Sequence, residues 1–148
     1  MSEGRPSGVL LAFDFGLRRV GVATGNLHTR TASPLTTLYV GRELPWSRLD
    51  AIVEEWRPAR LLVGVPEEST VATSVTKRAH AFAGALAERY SLPVETVDES
   101  FTSAAAAAEL REGRRSGALR RRVDKGSVDR RAACLIAEQW MSEARHER

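Results

Sequence analysis

The sequence predicts an α/β protein in which helices flank a five-stranded mixed sheet as a three-layer sandwich. Two observations carry this prediction: three strand-like stretches follow one another with short turns, and the later stretches alternate between helix-like and strand-like patterns. The 148 residues, 43% of them hydrophobic, suffice for one domain with its own core. We expect a single domain over residues 9–142, with flexible termini at 1–8 and 143–148.

The first three strands are predicted to form an antiparallel meander. Residues 9–15, VLLAFDF, are an apolar run typical of a buried central strand, which only Asp14 interrupts. The second strand, at 20–26, follows after a tight turn. The third covers 31–40 and is expected at a sheet edge, because Pro34 cannot donate a hydrogen bond to a neighbouring strand.

The rest of the chain is predicted to alternate helices with strands that run parallel to the first. Apolar residues recur at spacings of three and four in the helical stretches. The predicted elements are a helix at 46–56, a strand at 60–65, a helix at 71–90, a strand at 92–97, a helix at 104–110 and a helix at 127–141. Ser127 is expected to be the N-cap of the last helix, since its hydroxyl can accept a hydrogen bond from an unpaired backbone N–H group.

Cysteine content and hydropathy limit the class of protein. Cys134 is the only cysteine, so an intrachain disulfide is excluded. No apolar run approaches the ~18 residues that a membrane-spanning helix needs, and the first residues lack the apolar core of a signal peptide. The expected location is therefore the cytoplasm, with no membrane partner.

The positive charge of the chain is concentrated in one segment. The formal net charge is +3, and 20 of the 22 cationic residues are arginines. Nine of these cations lie within 111–131, namely Arg111, Arg114, Arg115, Arg120, Arg121, Arg122, Lys125, Arg130 and Arg131. Such density is typical of a nucleic-acid-binding surface, although a solvated face without a ligand is the alternative. We expect a mobile, substrate-binding loop that leads into the last helix.

Three carboxylates occupy the ends of predicted core elements. Asp14 lies near the end of the first strand, Glu99 follows the fifth strand, and Asp129 lies in the first turn of the last helix. Neighbouring strands and a helix laid across them could bring the three together. Because like charges repel, such a cluster needs hard cations, and Mg²⁺ or Mn²⁺ suit an all-oxygen site. Two such ions about 3.5–4 Å apart promote displacement at phosphorus, so the pattern predicts phosphodiester hydrolysis.

Each carboxylate considered alone has a simpler interpretation. An acidic residue at a strand or helix end is more often a cap or a member of a surface ion pair. Asp14 favours the metal site, since an unpaired carboxylate inside an apolar strand is costly. Asp98 is the alternative to Glu99, because a shift of one residue at a strand end reverses the side-chain direction.

Several motifs resemble the YqgF/RuvX family of pre-16S rRNA nucleases and Holliday junction resolvases. The motifs are DFGLRRVGVATG at 14–25, ASPLTTL at 32–38, LLVGVP at 61–66, VDESFTS at 97–103 and DKGSVDRRAACLI at 124–136. The resemblance implies an RNase H-like fold and a metal-dependent nuclease that matures the 5′ end of small-subunit ribosomal RNA. It also implies that Asp14, Glu99 and Asp129 are the catalytic, metal-binding residues.

Two departures from the family pattern concern substrate contacts. Ser100 stands where many members carry arginine, and 67–74 reads EESTVATS in place of a glycine-containing segment. The cations expected to bind nucleic acid are Arg19, Arg120, Arg121, Arg122 and Lys125. The expected partners are a ribosomal RNA precursor or branched DNA, with ribosomal particles as a further candidate.

Three other functions remain open at this level. The same site chemistry would serve a resolvase of four-way DNA junctions, which requires a dimer with paired sites, and the sequence does not decide between monomer and dimer. The glycine-containing first hairpin is also similar to the phosphate-binding start of actin-like kinases, which normally need two such domains. A non-catalytic RNA- or ribosome-binding module would use the arginine cluster alone, but it would gain nothing from three carboxylates facing phosphate.

Overall fold

The computed structural model describes residues 8–65, 74–98 and 125–146. These ranges contain five strands and three helices. In chain order they are β1 (Val9–Phe15), β2 (Arg19–Asn26), β3 (Thr31–Tyr39), α1 (Trp46–Trp56), β4 (Arg60–Val65), α2 (Ser74–Tyr90), β5 (Val94–Asp98) and α3 (Lys125–His146). The helix expected at 104–110 and the cationic stretch before Lys125 lie outside the described residues. Within the described ranges, no helix combines the length and apolar composition that a membrane crossing requires.

The strands form one mixed sheet in the order β3-β2-β1-β4-β5. β1 and β2 pair antiparallel, as do β2 and β3, whereas β4 runs parallel to β1 and β5 runs parallel to β4. The apolar run of β1 accounts for its central position, because a strand between two neighbours buries both faces. Pro34 lies in the edge strand β3, where the pairing with β2 shifts register between Val22 and Ala23. The predicted five-stranded α/β fold is confirmed.

Side chains alternate between two differently packed faces of the sheet. Leu11, Phe13 and Phe15 of β1 belong to the core on the α1 and α2 side, where the ring centroids of Phe13 and Phe82 are 5.7 Å apart. Leu10 and Ala12 belong to a second core formed with α3. Because alternation has a period of two, Asp14 points to the α3 face.

Small residues allow α3 to lie close to the sheet. Ala23 of β2 packs against Ala133 and Cys134 of α3. At Gly21, an added Cβ atom would lie 2.1 Å from the backbone oxygen of Asp129. Since that distance leaves no room for any side chain, glycine is required where the first turns of α3 cross β2.

The last helix begins earlier than its sequence pattern predicts. α3 starts at Lys125, so Ser127 is inside the helix and the prediction that it is the N-cap is wrong. Its hydroxyl oxygen instead accepts a hydrogen bond from Nη2 of Arg130, at 3.2 Å. The helix also continues to His146, beyond the end of the apolar pattern at Met141.

An exposed ion pair connects α1 to the end of α2. Arg89 donates to both carboxylate oxygens of Asp50, at 2.8 and 2.7 Å, and the Tyr90 hydroxyl donates at 2.6 Å. The guanidinium of Arg89 also lies 4.8 Å from the ring centroid of Trp46. The hydrogen bond from Arg89, with that from Tyr90 second, lowers the pKa of Asp50 from 3.8 to about 2.

This lowered pKa predicts how stability depends on pH. A carboxyl whose pKa is lower in the folded state stabilises the fold fully above its unfolded pKa and loses that effect as pH falls through its folded pKa. Asp50→Asn is therefore expected to be slightly less stable than the parent protein at neutral pH. Urea unfolding should show this difference shrinking between pH 3.8 and about 2. A difference that stays constant over this range would exclude titration of Asp50 as its cause.

Candidate active site

One transverse row of residues crosses all five strands on the α3 face. Strand register aligns Thr37, Gly21, Asp14, Gly64 and Val97 from β3 to β5. Paired residues on neighbouring strands point to the same face, and Val97 packs in the core that α3 covers. The row therefore faces α3 throughout.

Asp14 occupies the middle of this row. Asp14 is buried, with only 9% of the residue exposed. Gly21 on one side and Gly64 on the other carry no side chain. As a result, neither neighbouring strand places a side chain beside the carboxylate within this row of the sheet.

The backbone of Asp129 packs against Gly21, the residue of β2 that pairs with Asp14. Its backbone oxygen and Cβ atom would be 2.1 and 2.8 Å from a Cβ atom at Gly21, and Gly21 pairs with Asp14. The sequence separates the two aspartates widely, but the packing of α3 on β2 brings them to the same place on one face.

Arg19 makes an ion pair with Asp129. Its Nε–H group donates to Oδ2 of Asp129 at 2.7 Å, and the two side chains are 28% and 19% exposed. Arg19 is two residues before Gly21 on β2, so it shares the α3 face with that glycine. The sequence predicts a nucleic-acid contact for Arg19 and gives no sign of this ion pair, because only the position of α3 reveals it.

A second polar cluster adjoins the row at Thr37. The Thr37 hydroxyl donates to the backbone oxygen of Gly126 at 3.0 Å and accepts a hydrogen bond from Nη1 of Arg130, also at 3.0 Å. Arg130 also donates to Ser127. The sequence places Arg130 among the clustered cations but gives no sign of these partners.

The other predicted site residues are less completely described. Glu99, Arg120, Arg121 and Arg122 lie outside the described residues. Lys125 is the first residue of α3. Asp98, the alternative to Glu99, ends β5 with an exposed side chain and has the opposite alternation from Val97, which faces α3.

Comparisons with known proteins identify the family of the chain. The sequence profile of the family described as "RuvX: Holliday junction resolvase" matches residues 8–143. The chain belongs to the RuvX family. This confirms the resemblance that the sequence motifs indicate, and with it the nuclease class.

Relatives of this RuvX-family chain match over almost their full length. A protein of Legionella pneumophila strain Philadelphia 1, named "Putative pre-16S rRNA nuclease", is 39% identical over 144 residues, covering 94% of this chain and 99% of the relative. A protein of Xanthomonas campestris pv. campestris strain B100 with the same name is 42% identical over 140 residues, covering 93% of this chain and 90% of the relative.

Two solved resolvase structures share the fold at low sequence identity. RuvC of T. thermophilus, in complex with a Holliday junction substrate, superposes with a TM-score of 0.56 and 15% identity, covering 93% of this chain and 95% of RuvC. The fowlpox virus resolvase, in complex with Holliday junction DNA, gives 0.54 and 10%, covering 92% and 98%. These likenesses confirm the RNase H-like architecture of the RuvX-family chain.

The described carboxylates suit a hard divalent cation. Asp14 and Asp129 offer only oxygen ligands, which Mg²⁺ and Mn²⁺ prefer over nitrogen and sulfur. In the described ranges no group of three His, Cys, Asp or Glu side chains is close enough to hold a metal ion. The third expected ligand, Glu99, is outside those ranges. The donor chemistry of the two aspartates therefore fits such an ion.

Charge differs between the two sides of the site. On the β5 side, a cleft of about 300 Å³ is lined by Glu95, Asp98 and Glu143 together with Gln139 and Trp140. On the β3 side, Arg130 bonds to two neutral hydroxyl groups. A phosphate backbone would be repelled by the acidic cleft and attracted to the β3 side.

Proposed function

We propose that this RuvX-family chain is a divalent-metal-dependent endonuclease whose catalytic, metal-binding residues are Asp14, Glu99 and Asp129. The observation that carries the proposal is the contact of the Asp129 backbone with Gly21, the strand partner of Asp14. It supports one site to which the central strand and the last helix each contribute a carboxylate. Arg19 already pairs with Asp129, and a divalent cation would offset the remaining repulsion between the two carboxylates.

Strand alternation favours Glu99 over Asp98 as the third carboxylate. In β5, Val97 belongs to the core that α3 covers, and Glu95 accepts a hydrogen bond from Nε1 of Trp140 on α3. Odd-numbered residues of this strand thus face α3, and if the same alternation held for one more residue, Glu99 would share that face. Asp98 has the opposite parity and is not part of the proposed site.

The reaction is hydrolysis of a phosphodiester bond. A bound Mg²⁺ or Mn²⁺ would supply an activated water and charge stabilisation for the leaving oxygen. Asp14 would hold the ion from a rigid central strand, and Asp129 would hold it from α3. Arg19 donates to Oδ2 of Asp129 and so fixes the orientation of that carboxylate.

The substrate we favour is the precursor of 16S ribosomal RNA, cut during maturation of its 5′ end. The names of relatives about 40% identical over nearly the whole chain support this choice. The second candidate is cleavage of four-way DNA junctions. The family description and the shared fold with two junction-bound resolvases favour it.

A single experiment separates the two substrates and tests the metal requirement. Purified protein is incubated with precursor 16S RNA and with a synthetic four-way DNA junction, each with Mg²⁺, Mn²⁺ or a chelator. We expect cleavage of the RNA near its mature 5′ end, with either ion and not with the chelator. Cleavage of the junction alone would favour the resolvase, and cleavage in chelator would refute the metal dependence.

Arg19 offers a test of how Asp129 is held. Arg19→Gln is expected to lower Mn²⁺ affinity and the cleavage rate about 10–100-fold, the usual effect of losing a hydrogen bond to a metal ligand. Arg19→Lys keeps the charge without the Nε–H group and should recover only part of the loss. Calorimetric titration with Mn²⁺ alone measures the affinity without relying on activity.

Arg18→Gln is the matched control for the Arg19 variants. Arg18 is the preceding residue, and its side chain is exposed. Its loss changes net charge equally but removes no contact to Asp129. If Arg18→Gln and Arg19→Gln weakened Mn²⁺ binding alike, or if neither did, the positioning role of Arg19 would be refuted.

A further inference from the structure

We propose that Arg130, held by Thr37 and Ser127, forms a phosphate-binding site on the β3 side of the carboxylates. This site would bind the nucleic-acid backbone beside the position of cleavage. The inference rests on the proposed nuclease function for its substrate class, but the contact itself requires only a phosphodiester strand.

The two hydrogen bonds of Arg130 hold its guanidinium against uncharged hydroxyl groups. Nη1 donates to the Thr37 hydroxyl at 3.0 Å and Nη2 donates to the Ser127 hydroxyl at 3.2 Å. Both acceptors are uncharged, so these two bonds to described residues do not offset the positive charge of Arg130. An arginine has five N–H groups, and these bonds use two of them.

The support beneath Arg130 is itself rigid. Thr37 is 7% exposed, and its hydroxyl proton is donated to the backbone oxygen of Gly126. That donation leaves the hydroxyl oxygen as an acceptor for Arg130, in agreement with the direction of the observed bond. A guanidinium positioned in advance loses less conformational entropy when it binds phosphate.

The position of Arg130 relative to Asp14 fits a nucleic-acid strand that crosses the site. Thr37 and Asp14 belong to one transverse row, with Gly21 between them. Two strand spacings put their Cα atoms about 10 Å apart. Phosphates in a duplex follow one another about every 3.4 Å along the axis. A nucleic-acid strand that is cut beside Asp14 therefore has neighbouring phosphates within reach of Arg130.

The charges at the opposite edge of the sheet, beside β5, favour approach of the substrate from the β3 side. Glu95 and Glu143 line the cleft beside β5, and the Glu143 carboxylate would repel phosphate there. Glu95 also binds Arg60, at 2.7 Å, so that arginine is already paired with a carboxylate. Arg130 differs because the two described groups that it hydrogen-bonds, the Thr37 and Ser127 hydroxyls, carry no charge.

Salt-dependent binding tests this contact directly. Affinity for a labelled single-stranded RNA is measured by fluorescence anisotropy in chelator, at several KCl concentrations, so that no cleavage occurs. For Arg130→Gln we expect a loss of about tenfold in affinity, as for a hydrogen bond to a charged group. The slope of log K against log salt should fall by about 0.7, the value for one phosphate on a single strand.

Three further variants separate a phosphate contact from other effects. Arg48→Gln is the matched control, since Arg48 is exposed on α1, which packs on the other face of the sheet. It should leave the slope unchanged. Arg130→Lys should keep the slope because it still neutralises a phosphate. Thr37→Val should weaken binding without changing the slope, because the charge remains but its support is lost.

An unchanged slope in a folded Arg130→Gln variant would overturn the proposal, and so would an equal fall in Arg48→Gln. If Arg130→Gln does not fold, full wild-type affinity in Thr37→Val would overturn it instead. Because binding is measured without metal, these results stand even if the wild-type protein cuts neither substrate. Cleavage by the wild type together with an unchanged slope would refute the Arg130 site and leave the proposed function intact.

Discussion

Asp14→Asn is expected to abolish cleavage while the protein stays folded. The substitution keeps the size and shape of the side chain but removes the charge that would bind the metal. A loss of about 4 kcal/mol of transition-state stabilisation corresponds to about a thousandfold in rate. Single-turnover cleavage of precursor RNA in Mg²⁺ measures the rate, and thermal unfolding verifies the fold.

Asp50→Asn is the matched control for this variant. It makes the same carboxylate-to-amide change, but Asp50 pairs with Arg89 on α2, which packs on the opposite face of the sheet from α3. We expect Asp50→Asn to cut at the parent rate. Near-parent cleavage by Asp14→Asn would show that Asp14 is not a metal ligand.

Gly21→Ala is expected to damage both stability and activity. The new Cβ atom would lie 2.1 Å from the backbone oxygen of Asp129, and a backbone atom in a packed helix cannot move aside alone. Overpacking of this kind costs about 1–3 kcal/mol and sometimes more. For a chain of this size, 3 kcal/mol lowers the melting temperature by about 6–12 °C.

The activity of Gly21→Ala distinguishes site geometry from stability alone. If α3 shifts to relieve the clash, Asp129 moves away from Asp14, and cleavage should fall even well below the melting temperature. Gly41→Ala is the control, since an added Cβ atom there would meet nothing within 4 Å. A Gly21→Ala protein with parent stability and rate would contradict the close packing of α3 on β2.

The sequence predicts the strand order of the first hairpins well because local patterns determine it. The apolar run of β1 and the short turns after it specify antiparallel neighbours without any long-range information. The position of Asp14 inside that run is equally local. Both the meander and the placement of Asp14 on a buried strand could therefore be predicted before the structure.

The start of α3 could not be predicted in the same way. Gly126 disfavours a helix, so the pattern predicts a start after it, with Ser127 as the cap. In the structure, the Thr37 hydroxyl binds the backbone oxygen of Gly126, and the helix begins at Lys125. The helix thus includes Gly126 despite its low local propensity, at a position that packs against a distant part of the chain.

The contacts of Arg19 and Arg130 could not be predicted either, because they also join distant parts of the chain. Arg19 binds Asp129, which is 110 residues away, and Arg130 binds Thr37, which is 93 residues away. Which residues meet depends on where α3 packs along β2, and the close contact of the Asp129 backbone with Gly21 limits that position. Composition identifies these arginines as cations but does not predict their partners.

The most direct test of the carboxylate site is a crystal structure of the protein soaked in Mn²⁺, with anomalous diffraction measured to locate the metal. We predict an anomalous peak between Asp14 and Asp129 on the α3 face, with a carboxylate oxygen of Glu99 as a third protein ligand. Mn²⁺ bound elsewhere, or at this place through Asp98 in place of Glu99, would contradict the proposed site.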